Sequence, residues 1–187
     1  MQKNALIAIA ALPLLATTAI ADELYPLKAD GTAWSQVAKA EKRDKLSVAA
    51  LSTDGEMEMV FTFQKIIGME QFLGIFDHPA KECGQDGQAM TMNVPTENWR
   101  MEVNGQAFPS AANCREGRMQ YTFTGVDAGH DITSALLEGE SVTLSLPREG
   151  GRQEYTWEAD GFKALAGERV KAYENSARYK AYAGQTR

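Results

Sequence analysis

Two histidines stand in this chain, and either could serve acid–base chemistry. His78 precedes Pro79 and is expected in a loop. His130 precedes Asp131 and stands four residues before Ser134. A nucleophile, a base and an orienting carboxylate are thus present, but all in one short segment. Catalytic triads gather residues from separated parts of a fold, and the chain has no Gly-x-Ser-x-Gly elbow. The simpler reading is structural. Asp131 caps a helix of one or two turns running to Glu138, Gly139 ends it, and His130 lies in the preceding loop. No catalytic residue is assigned.

Methionine offers a different chemistry. Met57 and Met59 form one Met-x-Met pair, and Met90 and Met92 form another. Thioethers are soft ligands that suit Cu(I), and alternate positions on a strand share one face. The same phase holds Phe61, Phe63 and Val94, however, and Met commonly fills gaps in cores. Core filling is therefore the expectation, copper carriage the alternative, and no metal or other cofactor is assigned. Paired carboxylates could support hydrolysis of a glycosidic bond. Glu56, Glu58, Glu138, Glu140, Glu154 and Glu158 all fall on expected wet faces or turns, where solvation explains them. The chain has no phosphate-binding glycine loop of Walker or Rossmann type.

The elements that would position these residues are mostly strands. Leu46, Val48 and Ala50 alternate with small or polar residues, then Asp54-Gly55 turns the chain into Met57, Met59, Phe61 and Phe63. This is a hairpin pattern. Similar alternation runs through Met90 to Val94, Trp99 to Val103, Met119 to Phe123, Val142 to Leu146, and Tyr155 to Trp157. Asn104-Gly105 turns into a short strand at Gln106 to Phe108, and Glu149-Gly150-Gly151 makes a third turn. About seven strands, each polar on one face, predict a mainly β fold: an antiparallel β-sandwich or flattened barrel. Ile66 to Asp77 reads as a strand pair or an irregular crossover. Thr32 to Asp44 predicts a short N-terminal helix capped by Thr32. Ala166, Val170, Tyr173, Ala177 and Ala181 form one helical stripe, and neither Pro nor Gly interrupts Glu168 to Ala183. That predicts a C-terminal amphipathic helix.

The first 21 residues read as a signal peptide: Lys3 in a positive start, an apolar run from Ala5 to Leu15, and Ala19-Ile20-Ala21 as a small-x-small cleavage site. The run is shorter than the roughly 20 residues that span a bilayer. A mature chain from Asp22 to Arg187 would be one β-rich domain. In an oxidising compartment Cys83 and Cys114 are expected to pair as a disulfide. The expected location is the periplasm, with secretion or outer-membrane association as further destinations.

Charge narrows the partners. Without Lys3 the chain holds 18 basic and 25 acidic residues, a net charge of −7. Such acidity argues against nucleic acid as a partner. From Lys163 onward the balance reverses to six basic residues (Lys163, Arg169, Lys171, Arg178, Lys180, Arg187) against Glu168 and Glu174. Packing of this basic helix, residues 163–187, on an acidic domain is the favoured reading, and peripheral contact with anionic lipid is the other.

From Cys114 onward the chain resembles the invasion-associated locus B (IalB-like) family of exported bacterial proteins. The likeness rests on Cys114, Ser134-Ala135-Leu136-Leu137-Glu138-Gly139, the strand Ser141 to Leu146, and Gly161-Phe162-Lys163-Ala164-Leu165 after Tyr155-Thr156-Trp157. It covers about a third of the chain closely. The separation of the two cysteines and the basic terminal helix depart from the family pattern. The resemblance implies a small periplasmic or outer-membrane-associated β-sandwich without catalytic residues. The expectation is a non-enzymatic binding or interaction protein with a protein or cell-envelope partner. A small-ligand or copper carrier, or a carboxylate-dependent hydrolase, is the alternative.

Overall fold

The structure is a computed structural model. It describes residues 29–37, 45–66, 69–79, 83, 100–115, 117–125, 127–148, 151–176 and 179–180. The expected signal peptide and the pair Met90 and Met92 lie outside these residues.

The described chain is mainly β. Nine strands form one antiparallel sheet: β1 (Ser35–Gln36), β2 (Lys45–Leu51), β3 (Glu58–Ile66), β4 (Met69–Pro79), β5 (Arg100–Val103), β6 (Gln106–Arg115), β7 (Arg118–Phe123), β8 (Val142–Arg148) and β9 (Gly151–Trp157). Their order is β1-β2-β3-β4-β7-β6-β5-β8-β9. Helices α1 (Asp127–Glu138) and α2 (Phe162–Glu174) complete the fold.

The sheet curls into a half-barrel, and local chemistry sets its corners. Ser52 and Asp54 build the β2–β3 turn. The Ser52 hydroxyl accepts from the Met57 amide at 3.0 Å, and Asp54 Oδ1 accepts from the Glu56 amide at 3.1 Å. Gly55 closes this turn with φ at 75°. Asn104 and Gly105 both adopt positive φ, 48° and 84°, the two-residue I′ geometry that suits twisted strands. Asn104 also reaches β8: its Oδ1 accepts from the Thr143 amide at 2.8 Å. The two ends of the curl then meet. The Thr53 amide donates to the Thr156 carbonyl at 2.8 Å, and Trp157 Nε1 donates to the Ala50 carbonyl at 3.1 Å.

The inner face carries Val48, Met59, Phe61, Phe63, Phe76, Tyr121, Met101, Val103, Leu144 and Trp157, all buried. Trp34 stacks on Phe61 at 5.5 Å and meets Phe162 edge-on at 4.9 Å. Phe76 packs against Trp157 at 5.7 Å across the curl. Each helix turns an apolar stripe inward: Ile132 and Leu136 from α1, Phe162, Ala166 and Val170 from α2. Helix–helix approach is close at Gly167, where an added Cβ would sit 3.5 Å from Leu137 Cδ2. Gly161 opens α2 with φ at 86°, and a Cβ there would sit 3.2 Å from the Trp34 carbonyl oxygen, so the site demands glycine.

Several expectations need correction. Ser35–Gln36 is a strand paired with β2, not part of a helix; residues 38–44 lie outside the described residues. Strand pairing and burial of Trp34 override helical spacing there. Ile66 to Asp77 resolves as a strand pair, since Ile66 ends β3 and Met69–Pro79 is β4, so His78 stands on a strand. β6 extends to Arg115, well beyond Phe108. The helix ending at Gly139 begins at Asp127, so Asp131 and His130 are helical and Asp131 is not its cap. The expected C-terminal helix is present as α2 from Phe162 to Glu174, where Asn175 Nδ2 donates to the Lys171 carbonyl at 2.9 Å; residues 179–180 are helical again, and 177–178 and 181–187 lie outside the described residues. The Lys171 carbonyl also accepts from the Asn175 amide at 3.0 Å, so Asn175 holds the helix end through both backbone and side chain.

Candidate functional site

Two clusters of polar side chains stand out, on opposite faces of the sheet. The first lies on the outer face. Pairing places Glu58 of β3 opposite Asp77 of β4, and Asp77 opposite Gln120 of β7. Strict alternation gives all three one face, the face expected to be wet. Glu58, Asp77 and Gln120 are nevertheless 4%, 4% and 5% exposed. The assignment of Glu58 to a solvated face is therefore corrected. The outer face of β2–β4 is covered as well, since Ser47, Ala49, Val60, Thr62 and Ile75 are buried there too.

Arg118, from β7, holds the two carboxylates together. Its Nε donates to Asp77 Oδ1, and its Nη2 stands 4.0 Å from Glu58 Oε2. Gln120 Nε2 reaches Asp77 Oδ2 at 3.5 Å. The backbone amide of Ala29 donates to Glu58 Oε1 at 2.5 Å. Each of the four carboxylate oxygens thus has a neighbour. Burial pushes the Asp77 carboxyl above its ordinary value, and Arg118, Gln120 and His78 pull it back only in part. Two adjacent acids with divergent environments can act as an acid–base pair. Here their oxygens are already engaged, and the group fastens the segment at Ala29 to three strands.

The second cluster lies on the inner side, where α1 and α2 cross the end of β3. His130 Nδ1 contacts Glu174 Oε1 at 3.0 Å, and the two side chains are 40% and 28% exposed. Tyr179 stands 5.6 Å from both the His130 and the Tyr173 rings. A small pocket with room for little more than one water is lined by Phe63, Gly129, His130, Thr133, Val170, Tyr173 and Glu174. Asp131 lies one residue away. Burial, helped by Asp127, raises its pKa, and His130 opposes that.

The remaining candidates have defined places. His130, Asp131 and Ser134 all lie on α1, and the nitrogen that would orient the base is engaged by Glu174 instead. His78 Nδ1 contacts the Pro79 carbonyl at 2.7 Å. A carbonyl can only accept, so Nδ1 donates there, and Nε2 lies 3.0 Å from the Tyr121 hydroxyl. Met57 and Met59 are fully buried within the core, as gap fillers are. Cys83 and Cys114 form a disulfide with Cα atoms 5.2 Å apart. Glu56, Glu138, Glu140, Glu154 and Glu158 are exposed. Among the described residues, no group of three or more His, Cys, Asp or Glu side chains is placed to hold a metal ion, and no helix is long and apolar enough to cross a membrane.

Sequence reasoning missed Asp77, Arg118 and Gln120, and with them the role of Glu58. It named His130 but not Glu174, Tyr173 or Tyr179 as its neighbours. The chain matches no family model, no curated protein and no solved structure.

Proposed function

We propose that the protein is an exported, non-enzymatic binding module of the cell envelope, in keeping with its resemblance to IalB-like proteins. One observation carries this reading: the concave face of the half-barrel is filled. β-barrel carriers leave that space for a ligand, and small-molecule sites commonly offer about 300–1,000 Å³. Here Trp34, Phe61, Phe76, Trp157 and Phe162 occupy the curl, and two helices seal it. The pocket beside His130 has room for little more than one water, far below that range. Recognition then belongs to the surface. A signal peptide at residues 1–21 would deliver the chain to a compartment where the Cys83–Cys114 disulfide forms.

Fusing residues 1–30 to an alkaline phosphatase that needs oxidising conditions tests export: activity is expected, and its absence overturns the periplasmic reading. For binding, the protein is immobilised and exposed to periplasmic extract. A saturable macromolecular partner that a core-disrupted Phe61→Asp variant fails to hold is the expected result. Hydrolytic activity with no partner retained would replace this reading with the hydrolase alternative.

A further inference from the structure

β9 is the last strand of the sheet, and among the described residues no strand pairs with its far side. The direction of its backbone groups follows from one hydrogen bond. The Thr156 carbonyl accepts from the Thr53 amide at 2.8 Å, so Thr156 turns its peptide groups away from β8. Its cross-strand neighbour agrees: Thr143 turns its carbonyl to the Asn104 amide, at 2.9 Å, on the β5 side. Peptide groups alternate in direction along a strand, and the register from Gly151 to Trp157 is unbroken. Arg152 and Glu154 therefore point their N–H and C=O groups outward too. The β2–β3 turn takes the end at Thr156. The stretch from Gly151 to Glu154 is left as a free edge among the described residues, with Gly151, Arg152 and Glu154 exposed. β1, at the other end of the sheet, has only two residues.

The charges beside this edge select its occupant. Glu154 is exposed on the strand itself. Glu56 reaches the strand from the β2–β3 turn, where its Oε2 accepts from Gln153 Nε2 at 3.4 Å. Asp54 in that turn and Glu158 just past the strand are exposed as well. The strand's own cation, Arg152, is turned back across the sheet. Its Nε donates to Ser145 Oγ at 2.8 Å, and its Nη2 donates to the Ser145 carbonyl at 2.9 Å and stands 3.4 Å from Glu102 Oε1. Edge strands commonly carry charge to refuse other strands. Here the uncommitted charge has one sign, so the refusal is selective. A second copy of the chain would bring the same carboxylates and a net charge of −6. A segment carrying lysine or arginine is attracted instead. Alternation sets the pattern: the residue opposite Glu154 shares its face, and the next one projects on the face of Gln153 and Glu56. Two consecutive basic residues satisfy both. We propose that the free edge of β9 binds an extended, basic peptide segment as an added strand. The inference deepens the reading of the chain as a binding module and rests on it.

The probe is a capped hexapeptide, acetyl-TVKKVT-amide, added to the purified protein at low salt and neutral pH. Backbone amide NMR signals are followed. Saturable shifts centred on Arg152 and Glu154, with a Kd on the order of 0.1–1 mM, are expected for a short added strand with two exposed ion pairs. Acetyl-TVEEVT-amide is expected to bind at least about tenfold more weakly, as like charges meet. N-methylation of the probe at alternate residues reads the edge directly, without any variant of the protein. One alternation removes the N–H groups that face β9 and is expected to abolish binding. The other leaves them and is expected to weaken binding less than about threefold. Glu154→Lys is expected to weaken binding about tenfold or more. Equal tolerance of both methylation patterns overturns the proposal, as does unchanged affinity in a folded Glu154→Lys protein. Concentration-dependent shifts of the same amides without probe assign the edge to a second copy and also overturn it. Failure of the probe while a partner is still captured from periplasmic extract strikes this site alone. Failure of both strikes the binding-module reading as well.

Discussion

Glu58 and Asp77 on the outer face, and Glu174 at the end of α2, are carboxylates that each meet a basic side chain. The outer pair is nine-tenths or more buried, and each of its oxygens has a neighbour in Arg118, Gln120 or Ala29. Glu174 is 28% exposed and meets His130 through one oxygen. Similar ingredients therefore do different work. Away from water, a charge must be compensated by fixed neighbours, and the group becomes a fastening. At a rim, water shares the load and the pair contributes little to stability. The comparison predicts large stability effects on the outer face and small ones beside α2.

The largest expected effect comes from the covalent tie next to the outer cluster. Cys114 pairs with Met119, one residue from Arg118 and Gln120, and is joined to Cys83 across a sequence separation of 31. Replacing both cysteines by serine is expected to cost about 3–4 kcal/mol in the chain-entropy model. Urea unfolding of the oxidised protein and of the double variant checks it. A loss under about 1 kcal/mol would mean that the unfolded chain gains little freedom when the link is cut.

Arg118→Met comes next. It leaves the buried Asp77 carboxylate without its cation, a change that typically costs about 3–5 kcal/mol. Arg118 itself is 31% exposed, so the lower end, about 3 kcal/mol, is expected. The deficit should shrink as pH falls, because protonating Asp77 removes one uncompensated charge. A deficit that grows on acidification would break the account of the outer face as a sealed charge cluster.

How much of this is readable beforehand follows from range. The alternation in β2, β3, β7, β8 and β9 marks inner faces correctly, and Asp54-Gly55 and Asn104-Gly105 mark true turns. Those signals are local: a residue's phase and its neighbour's turn chemistry suffice. The disulfide is accessible because only two cysteines exist. Glu58 is misplaced because alternation says which face a residue occupies, not whether that face is covered. Its cover and partners come from Ala29, Asp77 and Arg118, 19 to 60 positions away. His130 and Glu174 are likewise 44 positions apart on different helices. The N-terminal helix fails for the converse reason: Trp34 and Val37 do have helical spacing, but pairing of Ser35–Gln36 with β2 outweighs it.

A subtler contrast concerns the acids whose pKa values rise. Asp77 is raised chiefly by burial. Its folded form binds a proton more tightly than the unfolded chain does, so its contribution to stability is full below about pH 3.9 and is lost as pH rises through the higher folded pKa. Wild type should therefore gain stability relative to Asp77→Asn as pH falls through that window. Asp131, at the open site, shifts in the same direction but lies on a partly exposed helix face. Asp131→Asn should show the same sign with a smaller amplitude. Paired pH series of urea midpoints would read both, and an opposite sign for Asp77 would mean that Arg118 outweighs burial.

The smallest effect tests the other side of the comparison. Glu174→Gln removes a charge from a pair whose members are 40% and 28% exposed. Exposed pairs contribute about 0–1 kcal/mol, and added salt weakens them further. The expected change in unfolding free energy is under about 0.5 kcal/mol, because the imidazole N–H donates to an amide oxygen much as it donates to a carboxylate. A cost of about 3 kcal/mol would place Glu174 in the same class as Glu58, a charge sealed by fixed neighbours. A small cost keeps the two regions distinct: one carboxylate group holds the sheet together, and the other stands where the fold does not need it.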